Sequence, residues 1–458
     1  MFKSYFRMLI VVFAIILAVM LDRGVIDIQI IQNVSYAEGA SVKNSLALPI
    51  RNIPPEIKKI NNSASEFGYS TALDGDTLVV GARGEDNYGA VYIFERHLGG
   101  ADSWGLSKKL MASDRELSAQ FGHAVSIYED TVIVSAMRAN GAAGAAYIFE
   151  RHLGGNNNWG EVKKIAAPDQ EGGDFFGSAV DIYKDVVVIG ADKIDFAQIV
   201  NPDLAGEAYI FERNSGGTSN WGHVKTLKPS ISEDFDNFGI SVGIFEDAIV
   251  VGANQINDVA PSAFKPGAAY VFERNYGGSN NWGETKRLFA ATGAVRDDFG
   301  MSVDIHQETI AVTARLEDDG AAYVYGKDQG GLNQWGNLKK LSTSDSASNE
   351  FGTAVSISEN WIVVTDIFSD GNGNTPLNWA GSAFIFGKDN GGTNNWGEIG
   401  TIGASDANNA LFFGNAVDVD AGTIVIGSDN NRSVYLYESP STDPEPVTNR
   451  VFIPIVIR

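Results

Sequence analysis

Three observations predict an all-β fold, a seven-bladed β-propeller of four-stranded blades whose ring is closed by an N-terminal outer strand. The dipeptide Phe-Gly recurs seven times, at Phe67, Phe121, Phe176, Phe238, Phe299, Phe351 and Phe413, with spacings of 54, 55, 62, 61, 52 and 62 residues. Each interval holds four short β-type runs separated by Gly, Asn and Asp, and no stretch after residue 40 keeps a helical period. The last interval lacks its fourth run, while an unattached fourth run stands before the first interval.

The second unit shows the order of elements. "HAVSIYE" (His123 to Glu129) alternates, "TVIVSA" (Thr131 to Ala136) is β-branched, "AAYIFER" (Ala145 to Arg151) is aromatic and aliphatic, and "EVKKI" (Glu161 to Ile165) is charged and amphipathic. Four antiparallel strands repeated seven times is propeller arithmetic, with each blade burying its faces on its neighbours. The apolar first strand suits the crowded centre. The lysine-bearing fourth strand, with pairs such as Lys108-Lys109 and Lys163-Lys164, suits an exposed edge guarded by charge. The seventh unit runs through "TIVIGS" and "SVYLYE" and stops. "EIKKI", Glu56 to Ile60, is therefore read as the missing outer strand of the last blade.

The 458 residues are divided as 1–37, 38–55, 56–438, 439–450 and 451–458. Residues 1–37 read as a signal peptide, with basic Lys3 and Arg7 before a 14-residue apolar run, Met8 to Leu21, and a small-residue cleavage site before Glu38; an uncleaved anchor is the alternative. Residues 38–55 form a lead, 56–438 the propeller, 439–450 a Pro/Thr linker and 451–458 an apolar tail too short to span a bilayer. The tail either docks on the propeller or serves in sorting or attachment. A chain without cysteine excludes disulfides, thiolate catalysis and Cys-ligated zinc, and a net charge of -23 argues against nucleic acid and anionic membrane surfaces as partners. The expected location is secreted, or the extracytoplasmic cell surface.

The tokens Phe-Gly, then Gly-Ala after the second strand, then Gly-Ala-x-Tyr-x-Phe stand in order in "FGYSTALDGDTLVVGARGEDNYGAVYIF" (Phe67 to Phe94) and again in "FGISVGIFEDAIVVGANQ" with "GAAYVF". In this the chain resembles the FG-GAP repeat, the unit of the integrin alpha-chain propeller and of many exported bacterial proteins, over roughly residues 56–438. The resemblance implies a seven-bladed propeller and does not by itself imply adhesion. Integrin-type repeats carry an Asp-x-Asp-x-Asp-Gly calcium loop between strands one and two. Here that link is a tight hairpin, as in "YEDTV", "YKDVV" and "FEDAI", and only "LDGDT" keeps two acids, Asp74 and Asp76. Calcium takes six or more oxygens, so the family's calcium sites are not carried over and no cofactor is expected.

Candidate sites are few. The six tryptophans of the "WG" phrases, Trp104, Trp159, Trp221, Trp282, Trp335 and Trp396, read either as a sugar-stacking ring or as inter-blade packing, and their apolar area favours packing. The strand 2–3 loops are long in three units, Asp192 to Ala205, Asn254 to Pro266 and Asp366 to Ala380. They share a face with acidic links that include Asp169, Glu171, Asp174, Glu233, Asp234, Asp236, Asp297 and Asp298. Variable loops gathered on one face are where repeat proteins bind. The candidate ligand-binding residues are Asp192, Asp195, Asn254, Asn257, Asp258, Asp366, Asp370 and Asn372. "DGNGN" places Asp370, Asn372 and Asn374 at alternate positions, but lacks the Gly and distal Glu of a calcium loop. "GISVG" around Ser241 imitates a nucleophile elbow but sits on a first strand with no strand-to-helix turn. His97 and His152 occupy one repeat position and read as surface loop residues, and no His pair has metal-ligand spacing.

The expected function is a non-enzymatic binding or adhesion module presenting a protein or glycan site on the long-loop face. The alternatives are a carbohydrate-acting enzyme with paired carboxylates on that face and a structural part of a surface assembly.

Overall fold

The recurring Phe-Gly and Gly-Ala tokens turn out to be the two sides of one seam. In the computed structural model, Gly206 adopts φ +82° and lies so close to the next blade that a Cβ there would meet the Phe238 carbonyl at 2.1 Å. Gly239 in turn adopts φ +98° and would collide with the Glu207 carbonyl at 2.4 Å. Only glycine tolerates both that dihedral and that approach. A parallel bridge joins Gly206 to Phe238 across the seam, and the same bridge recurs from Gly89 to Phe121, Gly144 to Phe176, Gly267 to Phe299 and Gly320 to Phe351.

The structure describes residues 54–193, 205–231, 237–254, 266–290, 297–332, 334–343, 350–370, 379–408 and 411–440. The proposed signal segment and C-terminal tail lie outside these residues. Pro54–Ser439 form one compact unit. Its described strands make seven antiparallel four-stranded sheets, and in six of them the strands follow chain order. In blade 3, for example, Phe176–Tyr183, Val186–Ala191, Glu207–Glu212 and Gly222–Leu227 run from axis to rim. The seventh sheet is built from both ends of the propeller. Strand β1 (Glu56–Asn61) pairs antiparallel with the last strand, Ser433–Glu438, so that Ile60 stands opposite Val434 and Lys59 opposite Tyr435. This is the closure read from the orphan "EIKKI".

The core lies between the blades. Every Phe of the Phe-Gly pairs is at most 1% exposed. Phe176 meets Tyr209 and Phe211 edge-on, with ring centroids 5.4 and 6.0 Å away, a geometry that suits aromatic quadrupoles. The six "WG" tryptophans are 1–2% exposed. Trp221 packs with Ile133 and Ile148 of blade 2 as well as with Phe176 and Phe211 of blade 3, so its ring fills an inter-blade seam. The packing reading of these residues holds, and none of them offers a sugar a face.

The rest of the phrase around each Trp serves the same seam. The Asn before it closes its own loop, Asn220 Nδ2 donating to the Ser215 carbonyl at 2.9 Å. Its Oδ1 receives Lys163 Nζ from the previous blade at 2.8 Å. Lys108 to Asn158 (2.6 Å), Lys225 to Asn281 (3.3 Å) and Lys339 to Asn395 (3.1 Å) repeat the bond. The outer-strand lysines are therefore inter-blade staples as well as edge charges.

Candidate functional site

Because strand one leaves the Phe-Gly end and turns at the hairpin, the two faces of the ring carry different segments. The strand 2–3 loops and the inter-blade links share one face; the strand 1–2 hairpins share the other.

On the loop face, Asp192, Asn254 and Asp366 lie at the roots of the long loops and are 3%, 3% and 0% exposed. Asn254 reaches into the next blade, its Nδ2 standing 3.4 Å from Met301 Sδ. Asn254 Oδ1 receives Asn237 Nδ2 at 3.0 Å, and Asp366 Oδ1 receives the Phe368 N–H at 2.9 Å. Asp370 is half-buried. Asp195, Asn257, Asp258 and Asn372 lie outside the described residues. Many acids of the inter-blade links are engaged by the blades themselves. Tyr209 Oη donates to Asp169 at 2.9 Å, Tyr147 Oη to Asp114 at 2.8 Å, and Lys164 Nζ reaches Asp114 at 2.6 Å. Asp298, 1% exposed, is bonded by Arg315 Nε; burial raises its pKa against the lowering pull of that guanidinium. Among the described residues no group of three or more His, Asp or Glu side chains is placed to hold a metal ion.

What the repeat pattern does not foretell on this face is an aromatic knot. Phe368, Trp379 and Phe412 meet at the base of the Asp366–Ala380 loop, with Trp379 stacked over Phe412 at 6.2 Å and 23°, and Phe368 edge-on to both at 5.9 Å. The Phe412 N–H bonds the Trp379 carbonyl at 3.3 Å. Trp379 is 51% exposed, against 1–2% for the tryptophans of the repeat phrase. A signal for it existed in the sequence: "NWAGS" holds a Trp that belongs to no repeat position.

On the hairpin face, blades 1 to 4 are joined by a recurring clamp. Arg213 Nε pairs with Asp185 at 2.5 Å in its own hairpin, its Nη1 reaches Glu150 of blade 2, and its Nη2 donates to Thr131 at 2.8 Å. Arg151 treats Asp130, Glu95 and Thr77 alike, at 2.7, 2.8 and 2.7 Å. Arg274 pairs with Asp247 at 2.7 Å and Glu212 at 2.6 Å. Each guanidinium also covers a buried Trp, Arg213 standing 4.6 Å from the Trp221 ring. A cleft of about 440 Å³ opens between blades 2 and 3, lined by Glu150, Arg151, Lys184, Asp185 and Arg213 among others. Its arginines are already paired, and it reads as the outer opening of the seam.

The first strands around the axis carry three half-buried carboxylates one layer below the hairpins. Asp181 accepts from the Ile244 N–H at 2.7 Å and Ser126 Oγ at 2.7 Å; Asp304 accepts from the Ile357 N–H at 2.8 Å; Asp418 accepts from the Leu73 N–H at 2.7 Å and Ser356 Oγ at 2.9 Å. Each thus ties its blade to the first strand of the next. Removal from bulk water pushes Asp181 up to about 6 and Asp418 up to about 7, against the lowering effect of these bonds. Asp304 is also raised well above the usual range, by burial first and then by the charges of Asp181 and Asp418. His97 and His152 sit in exposed loops, where their Nδ1 atoms accept the Asp102 and Asn157 N–H at 3.3 and 2.9 Å.

No curated protein sequence matches the chain. Among solved structures, the computationally designed Ika8 protein is similar with a TM-score of 0.47 and 11% identity, over 84% of this chain and 99% of that one. The FG-GAP repeat family matches six segments, 61–94, 104–149, 159–211, 221–272, 282–325 and 335–386, each running across a blade seam from the end of one unit into the Phe-Gly and Gly-Ala tokens of the next. These segments make up more than half of the chain, which belongs to the FG-GAP repeat family.

Proposed function

We propose that the protein is an exported, non-enzymatic binding propeller that presents a protein or glycan site on the face of the long strand 2–3 loops. The observation that carries this reading is the half-exposed Trp379, packed against Phe368 and Phe412 at the base of the Asp366–Ala380 loop. An exposed aromatic on a fixed support is the usual anchor of a protein or sugar contact, because its area is large and little entropy is lost on binding. In this reading Asp192, Asn254 and Asp366 fix the loop roots, while Asp370, Asp195, Asn257, Asp258 and Asn372 meet the ligand. The family's association with extracellular proteins and the acidic charge support a secreted or surface location, with no nucleic-acid partner. The test compares the protein and its Trp379→Ala variant on a glycan array and against isolated surface proteins. Binding that falls at least tenfold in the variant, with the melting temperature kept, is expected. A ligand bound equally by both proteins would remove this site.

A further inference from the structure

The hairpin-face mouth of the axial channel has two unlike halves. At the last position of strand one, blades 2 to 5 place Tyr128, Tyr183, Phe245 and His306. Their rings follow one another around the axis with centroids 5.0, 4.8 and 4.8 Å apart, and all four are half-buried. Blades 7 and 1 place Asp420 and Asp74 at the same position. Asp420 receives the Gly75 N–H at 2.7 Å, and Asp74 receives the Glu129 N–H. Neither forms an ion pair within 4 Å among the described residues.

We propose that this mouth binds an alkylammonium group, with the aromatic arc taking its apolar and cationic face and Asp420 and Asp74 taking its charge. Three observations independent of the loop face carry the proposal. First, the arc already holds one ammonium group: Lys184 Nζ of the blade 3 hairpin stands 4.8 Å from the centre of the Tyr183 ring. The rings are tilted or edge-on to one another, at 63°, 41° and 50°, and aromatic faces left open in this way attract cations through their quadrupoles, most strongly where water is excluded. Second, the rim is anionic. Its hairpins contribute Glu129, Glu246 and Glu359 against the single base Lys184, so a neutral or anionic ligand would gain nothing from the field. Third, Asp181, Asp304 and Asp418 lie one layer below and accept only backbone N–H and serine O–H bonds among the interactions described above. A carboxyl withdrawn from bulk water with no cation beside it is held toward its neutral form, and a cation brought near favours the charged one. A primary ammonium seated against the rings approaches these three groups as a counter-charge that the strands bonded to them do not supply.

Ammonium groups come as free amines or as lysine side chains, and the experiment separates the two. The full chain is titrated calorimetrically with 1,5-diaminopentane, with the tripeptide Gly-Lys-Gly blocked at both ends, and with tetramethylammonium. 1,5-Pentanediol, a blocked Gly-norleucine-Gly and tert-butyl alcohol serve as the uncharged near-isosteres of the three. Saturable binding of at least one ammonium probe, with none for its isostere, is expected. Binding of the diamine but not the peptide assigns the site to free amines; the reverse assigns it to a lysine-bearing chain. Phe245→Leu and Asp420→Asn should each weaken binding about tenfold, as removal of a desolvated cation–π or charge contact does, while Lys184→Ala should hold or tighten it. Equal binding of charged and uncharged probes, no saturable heat with any ammonium probe, or unchanged affinity in both Phe245→Leu and Asp420→Asn would overturn the proposal. The isostere comparison uses the unaltered protein, so it stands even where a variant fails to fold.

Discussion

Blades 1 to 5 and blades 6 and 7 solve the same packing problem differently. In the first group strand one runs for eight residues and includes the Phe-Gly pair, as in Phe299–His306, whose Phe299 stands opposite Ala314 at the end of strand two. In blades 6 and 7 strand one shrinks to Val355–Ile357 and Val417–Asp420, and the Phe-Gly pair lies outside it. The residue opposite explains the change. Where blades 1 to 5 have Ala82, Ala136, Ala191, Ala253 and Ala314, blades 6 and 7 have Asp366 and Ser428. A methyl group lets the Phe backbone lie flat against strand two, whereas a carboxylate or hydroxyl seeks its own hydrogen bond. Asp366 takes the Phe368 N–H at 2.9 Å, and Ser428 Oγ donates to the Leu411 carbonyl at 2.7 Å. The clamp fades in the same direction. Glu95, Glu150 and Glu212 each receive an arginine of the following blade, Glu273 receives Lys327 Nζ and the Trp335 indole N–H in its place, each at 3.3 Å, and Gly326 and Gly387 stand where blades 5 and 6 would need the acid. The regular blades have little room for anything except packing. The exposed Trp379 knot and the acidic half of the channel mouth both fall in or beside the irregular ones.

The comparison breaks most completely at the joint between the two groups. Deleting Glu56–Ile60 removes the partner of the last strand and leaves Val434, Leu436 and Tyr435 beside an open edge. The expected result is the largest loss here, a protein that melts far below the parent or accumulates only as aggregate, because an exposed edge strand invites intermolecular pairing. A truncated protein with an unchanged melting temperature in calorimetry would mean that the ring does not depend on this strand.

Next in size is Trp221→Ala, which empties a seam between two regular blades and should cost about 3–5 kcal/mol in denaturant unfolding. Blade 7 has no such tryptophan before its outer strand, since β1 arrives from the N-terminus. A smaller effect separates the clamps. Arg213→Ala strands the half-buried Glu150 and should cost about 1–3 kcal/mol. Lys388→Ala, in a seam with no acid to strand, should cost under about 0.5 kcal/mol. Equal losses in the two variants would mean that the arginine acts through its cover of the tryptophan ring and not through its charge.

The sequence made the regular blades legible because they obey one grammar. The Phe-Gly and Gly-Ala tokens exist to satisfy a backbone contact that only glycine permits, so they recur wherever a seam does, and the orphan "EIKKI" followed from counting them. The candidate site was less legible for the opposite reason. Asp192, Asn254 and Asp366 were visible as acids and amides at the start of long loops, but nothing in a loop's length tells whether its first side chain turns inward, and all three do. Trp379 was overshadowed by six tryptophans of the repeat. The aromatic arc was in view as the first letter of "YEDTV", "YKDVV" and "FEDAI". Its meaning depends on those letters being neighbours around an axis, a relation between residues some 60 apart in the chain.

The subtlest difference, an offset of about one pH unit between two curves, tests whether the channel acids differ between the two groups of blades. Asp181, in a regular blade, is raised to about 6, and Asp418, in an irregular one, to about 7. Burial is the first cause for both, and Asp418 also feels Asp420. A carboxyl whose pKa is higher in the folded chain than in the unfolded one takes up a proton on folding. Its contribution to stability is therefore complete below about pH 4 and is lost as pH rises through the folded value. Asparagine does not titrate, so each Asn variant lacks this loss. The unfolding free energy of the parent relative to Asp418→Asn should fall between pH 4 and about 7 and then level. Relative to Asp181→Asn the fall should end nearer pH 6. The total change should be about 1–3 kcal/mol, since both groups are half-buried and keep their backbone donors. Using differences between parent and variant removes the opposite slope from surface acids such as Asp102 and Asp406, which their Arg96 and Lys59 partners hold below the ordinary range. Coincident curves for Asp418→Asn and Asp181→Asn would show that the irregular blades change the face of the propeller without changing its axis.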